Sequence, residues 1–166
     1  RFVVVEQLPS SKMDGACFWL DKDSPVIALS LRYDRIDNFW FTLIHELKHV
    51  ENGHGKDEAI VDTDLMCSNN ERNQSAEETL VNKQAADFLV PSSAMDDFIA
   101  RNRPSYGQVQ IVGFARRMKV HPGIVVGQLQ NRGEISYAHQ RKLLTTVRRN
   151  VISTALCDGW GNSVSI

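Results

Sequence analysis

Residues 36–50 constrain this chain more than any other stretch, because two patterns coincide in them. Ile36, Phe39, Trp40, Leu43, Ile44, Leu47 and Val50 recur at three- and four-residue intervals, the spacing of an amphipathic helix. The same turns carry His45-Glu46-Leu47-Lys48-His49. Four residues apart on a helix, His45 and His49 present their imidazoles on one face, one turn from each other. Asp37 lies near the helix start, where the dipole favours an acid, and Asn52-Gly53 reads as its stop. An HExxH pattern arises by chance in a chain of this length on the order of one time in a hundred. The alternative is a solvated helix face with two incidental histidines.

The flanking sequence predicts an α+β fold, a small antiparallel sheet packed on the HExxH helix and followed by a helical bundle. Val3, Val4 and Val5 suit a short edge strand. Ala16–Leu20 and Val26–Arg32 are β-rich, and the turn-forming Asp21-Lys22-Asp23-Ser24-Pro25 between them makes a hairpin. Residues 54–75 are polar and acidic and read as a loop. A second helix is expected from about Ser75 to Val90, with Leu80, Ala85, Phe88 and Leu89 in its apolar stripe and Pro91 as its stop. Ser92 or Ser93 then caps a short helix through Met95, Phe98 and Ile99. Beyond a linker at 102–107, three helices are expected at about 108–119, 123–131 and 138–156. The implied organisation is a core over 1–101, a basic helical subdomain over 102–157 and a flexible tail over 158–166. Because the chain begins at Arg1, it reads as a fragment of something longer.

Charge is uneven although the net value is only −1. Residues 101–150 hold ten Lys or Arg and one acid, Glu134, whereas residues 1–100 hold nine basic residues against eighteen acidic ones. Such asymmetry marks either a surface for nucleic acid or two halves that pack against each other. Cys17, Cys67 and Cys157 are scattered and form no CxxC pair, which argues against a cysteine metal cluster or a disulfide framework and points to the reducing cytoplasm. No apolar run approaches the roughly 20 residues that span a bilayer, so no membrane role is expected.

The chemistry follows from the histidine pair. Neutral imidazole is a good zinc ligand, and Glu46, directly after His45, points beside a metal held there, where it can take a proton from a bound water. A catalytic zinc site takes three protein ligands and keeps one position open. His54 is out of register for a longer HExxHxxGxxH pattern, with Gly53 and His54 each displaced by one. Asp57, Glu58, Asp62 and Asp64 in the following loop satisfy the spacing requirement. Glu78 on the second helix is preferred, with Asn82 one turn further along the same face to brace a ligand histidine. Glu77 shares its face with the apolar Val81. His121, at a turn before Pro122, and Tyr137 are candidate donors to a tetrahedral oxyanion, with Tyr106 and Tyr33 as further options. The alternative for His121 is a helix cap or an exposed side chain. Trp19, Phe39, Trp40 and Phe41 read as core rather than as a substrate pocket.

His45-Glu46-Leu47-Lys48-His49, then His54, then the run from Glu78 and Asn82 through Phe88-Leu89-Val90-Pro91, resembles the ImmA/IrrE metallopeptidase family, firmly over 36–91. The family often has Phe-Ala where this chain has Gln84-Ala85, a difference that bears on helix packing. By this resemblance Glu78 takes the third-ligand position and Asn82 the position behind it. The resemblance implies a bacterial or phage, gluzincin-like, zinc-dependent peptidase with narrow regulatory specificity, acting on a protein partner such as a DNA-binding repressor. Many members are fused behind an N-terminal helix-turn-helix domain in antitoxin-like regulators, which would supply DNA contact. Phe114–Leu129 itself resembles the family's helix-turn-helix-like bundle, though Ile111, Val112, Phe114, Met118, Ile124, Val125 and Leu129 look like core. Zn2+ is the expected metal, with Mn2+ or Fe as alternatives, and the substrate is expected to lie extended along the strand near Val26–Leu31. The rival reading is a non-catalytic metal sensor within a transcriptional regulator. The oligomeric state is left open.

Overall fold

The computed structural model describes residues 1–7, 10–63, 65 and 75–157, the side chains of 152–157 excepted. The expected tail at 158–166 lies outside the described residues, as do Asp64 and Cys67. Strands β1 (Phe2–Val5), β2 (Met13–Trp19) and β3 (Pro25–Ser30) precede helix α1 (Ile36–Glu51), and β4 (Ile60–Thr63) returns to the sheet. Helices α2 (Ala76–Leu89), α3 (Ser92–Asn102), α4 (Gln108–Met118) and α5 (Pro122–Asn131) follow. After a 3₁₀ turn at Arg141–Leu143 come α6 (Arg148–Ala155) and β5 (Leu156–Cys157). Among the described residues no helix is long and apolar enough to cross a membrane.

The fold is α+β, as the sequence predicts, but the sheet is mixed rather than purely antiparallel. Its order is β4-β2-β3-β1-β5. The β2–β3 hairpin is antiparallel with Ala16 opposite Ala28, and β4 joins β2 antiparallel with Ala16 opposite Val61. β1 runs parallel to both β3 and β5, so it is interior and not an edge. Its unbroken Val3-Val4-Val5 run fits a strand with hydrogen-bonded neighbours on both sides. The stretch 54–75, expected to be a loop, contains β4. Ile60, Val61 and Thr63 are β-branched, and that local preference outweighs the surrounding acidity.

The helices also depart from expectation in places. Ser75 caps α2, its hydroxyl accepting from the Glu78 amide at 3.1 Å. The buried stripe of α2 is Val81, Ala85 and Leu89, whereas Leu80 and Phe88 point outward. α3 starts after Pro91 without a side-chain cap, and Met95, Phe98 and Ile99 are buried. The single helix expected at 138–156 is broken: Gln140 is left-handed (φ 56), and only 148–155 are α-helical. Three tertiary bonds hold the break open. The Ile36 amide, at the start of α1, donates to Thr145 O at 2.9 Å. Asp34 Oδ1 accepts from the amides of Val147 and Arg148, both at 2.8 Å, and so opens α6 instead.

Helix α1 lies between two apolar cores. Phe39, Leu43 and Val50 face Cys17, Ile27 and Leu29 of the sheet. Ile44 enters the larger core built from α2 to α5, on both sides of residue 101. Phe39 and Phe41 pack as expected, but Trp40 is 39% exposed. Every residue of α5 from Gly123 to Gln130 is buried, so this helix is core rather than a free recognition surface. Several basic residues of the C-terminal half pair with acids of the first half: Arg101 with Asp97, Arg132 with Asp96 and Arg148 with Glu6.

Gly127 is where α5 meets α1: a Cβ there would lie 2.5 Å from Asp37 Oδ2. Gly127→Ala is expected to destabilise the fold by about 1–3 kcal/mol in urea denaturation, as overpacking does. Gly113→Ala in α4, where an added Cβ meets nothing within 4 Å, is the control. It is expected to be neutral or to stabilise by up to about 1 kcal/mol.

Candidate metal centre

Helix α1 buries polar residues along one stripe, Asp37, Asn38, Thr42, His45, Glu46 and His49. The two imidazoles turn the same nitrogen inward: His45 Nε2 and His49 Nε2 lie 3.0 Å apart. Glu78, in the first turn of α2, reaches them with Oε1 at 3.2 Å from His49 Nε2 and Oε2 at 3.5 Å from His45 Nε2. Asp62, from β4, places Oδ2 at 3.2 Å from His45 Nε2 and 3.9 Å from His49 Nε2. One ligand atom from each of these four residues lies within 4.8 Å of all the others. Two imidazole lone pairs and two carboxylates facing one another repel unless positive charge sits among them. The donor set, nitrogen and oxygen in equal number, suits a divalent ion of the zinc type, so the cluster can hold a metal ion.

Sequence reasoning admitted Asp62 only as one of several loop acids. The signal was the Ile-Val-Asp-Thr strand, whose alternation buries Asp62 and exposes Val61. Asp57 and Glu58 are exposed and Asp64 lies outside the described residues. Glu77 is exposed and Glu78 half-buried, as helical phase predicts. Asn82 is half-buried one turn beyond Glu78.

Glu46 is fully buried, and its carboxyl meets the Asp62 carboxyl, so one of the two must carry a proton for them to hydrogen-bond. Room for it comes from β2, where a Cβ on Gly15 would lie 2.1 Å from Glu46 Oε1. Burial, together with the charges of Asp62, Glu78 and Asp14, pushes the Glu46 carboxyl up to about 10. Desolvation opposes ionisation of Asp62 too, but the hydrogen bond and charge of His45 prevail and hold it below the usual carboxylate range. The proton this acidic pair shares therefore sits on Glu46. A bound dication reverses the sign of that local field. Burial, and then the charges of Glu46, Asp62 and Glu78, push the nearby Cys17 thiol up to about 12, which fits an inert core residue.

His54 has a place beside the cluster although it is not one of the four. Its Nδ1 lies 3.0 Å from His49 Nδ1. If Nε2 of His49 faces a metal with its lone pair, the ring proton sits on Nδ1 and can be donated to His54. His54 is itself anchored: its amide donates to His49 O at 2.9 Å, and its carbonyl accepts from Trp19 Nε1 at 2.9 Å.

The two proposed oxyanion donors lie elsewhere. His121 caps α5, its Nδ1 accepting from the Gly123 amide at 3.0 Å. Tyr137 is 44% exposed and lines a cavity with Tyr33, Arg35 and Asn38, at the opposite end of α1 from His49. Tyr106 is buried with its hydroxyl donating to Glu134 at 2.6 Å. Strand β3, expected to dock substrate, is paired on both sides, whereas β4 ends the sheet among the described residues.

A peptidase-family model described as the IrrE N-terminal-like domain matches residues 2–129. No curated protein matches the chain significantly.

Removing the His54 ring is expected to lower metal affinity about 10- to 100-fold, the usual effect of losing a hydrogen-bond partner behind a ligand. Competition of His54→Ala against a chromogenic zinc chelator measures this. Unchanged affinity would show that the contact does not orient His49.

Proposed function

The chain belongs to the IrrE N-terminal-like domain family of peptidases, and from that footing we propose that it is a zinc-dependent endopeptidase. Its substrate on this reading is a protein partner, a DNA-binding repressor or similar regulator, and the domain works within a larger transcriptional regulator. One observation carries the chemical part: a fully buried glutamate stands beside four convergent side chains that could hold a metal ion. The partner class rests on the resemblance of residues 36–91 to that family.

His45, His49 and Glu78 would hold the metal, which when bound would supply Lewis acidity toward a peptide carbonyl. Glu46 would take a proton from the attacking water and return it to the leaving amine. Its dry setting serves this role, because no bulk water competes for the carboxylate. The peptide lies extended along the outer edge of β4, the strand that carries Asp62, where main-chain hydrogen bonds hold it.

A second reading has an observation in its favour. Asp62 brings a fourth protein donor to the cluster, and a metal with four protein ligands has the closed sphere of a structural or sensory site. Glu46→Gln separates the two readings. As a peptidase, the variant keeps its zinc, by metal analysis, and loses about 10²- to 10⁴-fold in cleavage rate on the partner regulator. Cleavage by the variant at the wild-type rate overturns Glu46 as the base, and a zinc-loaded wild-type protein that cuts no regulator sinks the peptidase reading. A zinc-loaded wild-type protein that cuts no regulator yet still changes its activity supports the sensor.

A further inference from the structure

A cavity of about 160 Å³ opens where the first turn of α1 meets the chain beyond α5, lined by Tyr33, Arg35, Asn38 and Tyr137. We propose that it binds a neutral single-ring lactam, the hydrogen-bonding edge of a free pyrimidine base or its nucleoside. This inference is independent of the peptidase reading, because no residue of the metal cluster lines the cavity.

The walls come from both halves of the chain and are fastened to each other. Tyr33 and Arg35 lie between β3 and α1, Asn38 is in the first turn of α1, and Tyr137 follows α5. Gln130 of α5, 2% exposed, spans the two sides. Its Oε1 accepts from Arg35 Nη2 at 3.0 Å, and its Nε2 donates to His139 O at 3.2 Å. The bond from the Ile36 amide to Thr145 O is a second tie. The Arg32 guanidinium stacks on Tyr33, 4.8 Å from the ring centroid. The recess is therefore held from both sides rather than being a chance gap between surface side chains.

The lining residues set the chemistry of the occupant. Asn38 is 4% exposed, and its Oδ1 is buried with no donor. An acceptor left in that state is costly, so a ligand that brings an N–H is favoured. Arg35 spends Nε and Nη2 on Asp37 and Gln130, which leaves Nη1 to donate to a carbonyl. The same pairing with Asp37, at 2.6 Å, neutralises the guanidinium, so the recess has little pull on a phosphate or carboxylate. Its volume is close to the roughly 150 Å³ of a cavity that takes benzene, which suits one ring and not two. Tyr33 and Tyr137 bring aromatic faces of the kind on which planar bases stack. A neutral, planar single ring with an N–H beside a C=O meets all of these conditions at once.

Isothermal titration calorimetry with 1-methyluracil and 1,3-dimethyluracil tests the proposal on the zinc-loaded protein. The first keeps an N–H between its carbonyls and is expected to bind at least about tenfold tighter than the second, which has none. Saturating acetohydroxamate, a chelator of zinc, should leave that affinity unchanged. Tyr137→Ala should weaken binding about 5- to 100-fold, the usual effect of losing a stacking partner, and Tyr137→Phe should restore it. Asn38→Ala should erase the preference for the N–H compound. Tyr137 stands at an exposed turn, so its variants decide the matter even where Asn38→Ala does not fold. Thymidine should bind as well as the free base does, and an oligothymidylate no better. Equal affinity for the two uracils, no binding of either, displacement by acetohydroxamate, wild-type affinity in Tyr137→Ala, or binding of the oligonucleotide alone overturns the proposal.

Discussion

Helix α1 has to bury a polar stripe, and the other elements are shaped by how that stripe is satisfied. A buried carboxylate or imidazole without a partner is costly, and α1 buries Asp37, Glu46, His45 and His49 together. Each receives a separate answer. Arg35 and Gly127 accommodate Asp37, one by its charge and the other by having no side chain in the way. Gly15 opens β2 for Glu46. Asp62 and Glu78 arrive from β4 and α2 to face the imidazoles. The apolar residues of the same helix meanwhile fasten it to both cores. An arrangement so unfavourable in isolation makes physical sense around a cation, which turns mutual repulsion into coordination.

Much of this was legible in the sequence where one signal was strong and local. The α1 periodicity, the β2–β3 hairpin and the Ser75 start of α2 each depend on neighbours within a few residues. So does the phase argument that sets Glu78 inward and Glu77 outward. What was not legible depends on distant partners. Val3-Val4-Val5 reads equally well at an edge or in the interior, and only pairing with β5, from the far end of the chain, decides it. The break within 138–156 follows from bonds to Asp34 and Ile36, more than a hundred residues away. Asp62 was hidden because an acidic neighbourhood looks like a loop, and a four-residue strand has too short a pattern to counter that. His121 and Tyr137 were chosen for residue type and turn position, which say nothing about distance to a site formed elsewhere.

The uneven charge of the two halves has a partly internal explanation. Arg132 and Arg148 reach acids of the first hundred residues, and Arg103 pairs with Glu134, the one acid of the basic stretch. These pairs are largely exposed, and pairs of that kind contribute little to stability. Their effect lies more in the register between helices. The buried course of α5 points the same way, since a helix enclosed on all sides serves packing first.

The four residues of the candidate metal cluster also bring together parts of the chain that otherwise have little in common. His49, Asp62 and Glu78 belong to a helix, a strand and a second helix, separated by segments of twelve and fifteen residues. An ion held at this cluster would work as a cross-link, fastening loops that the unfolded chain would have to close at an entropic cost. Metal occupancy and conformational integrity then become one linked equilibrium. Scarcity of such an ion would then slacken the scaffold as well as empty the cluster, so the fold itself would register metal supply.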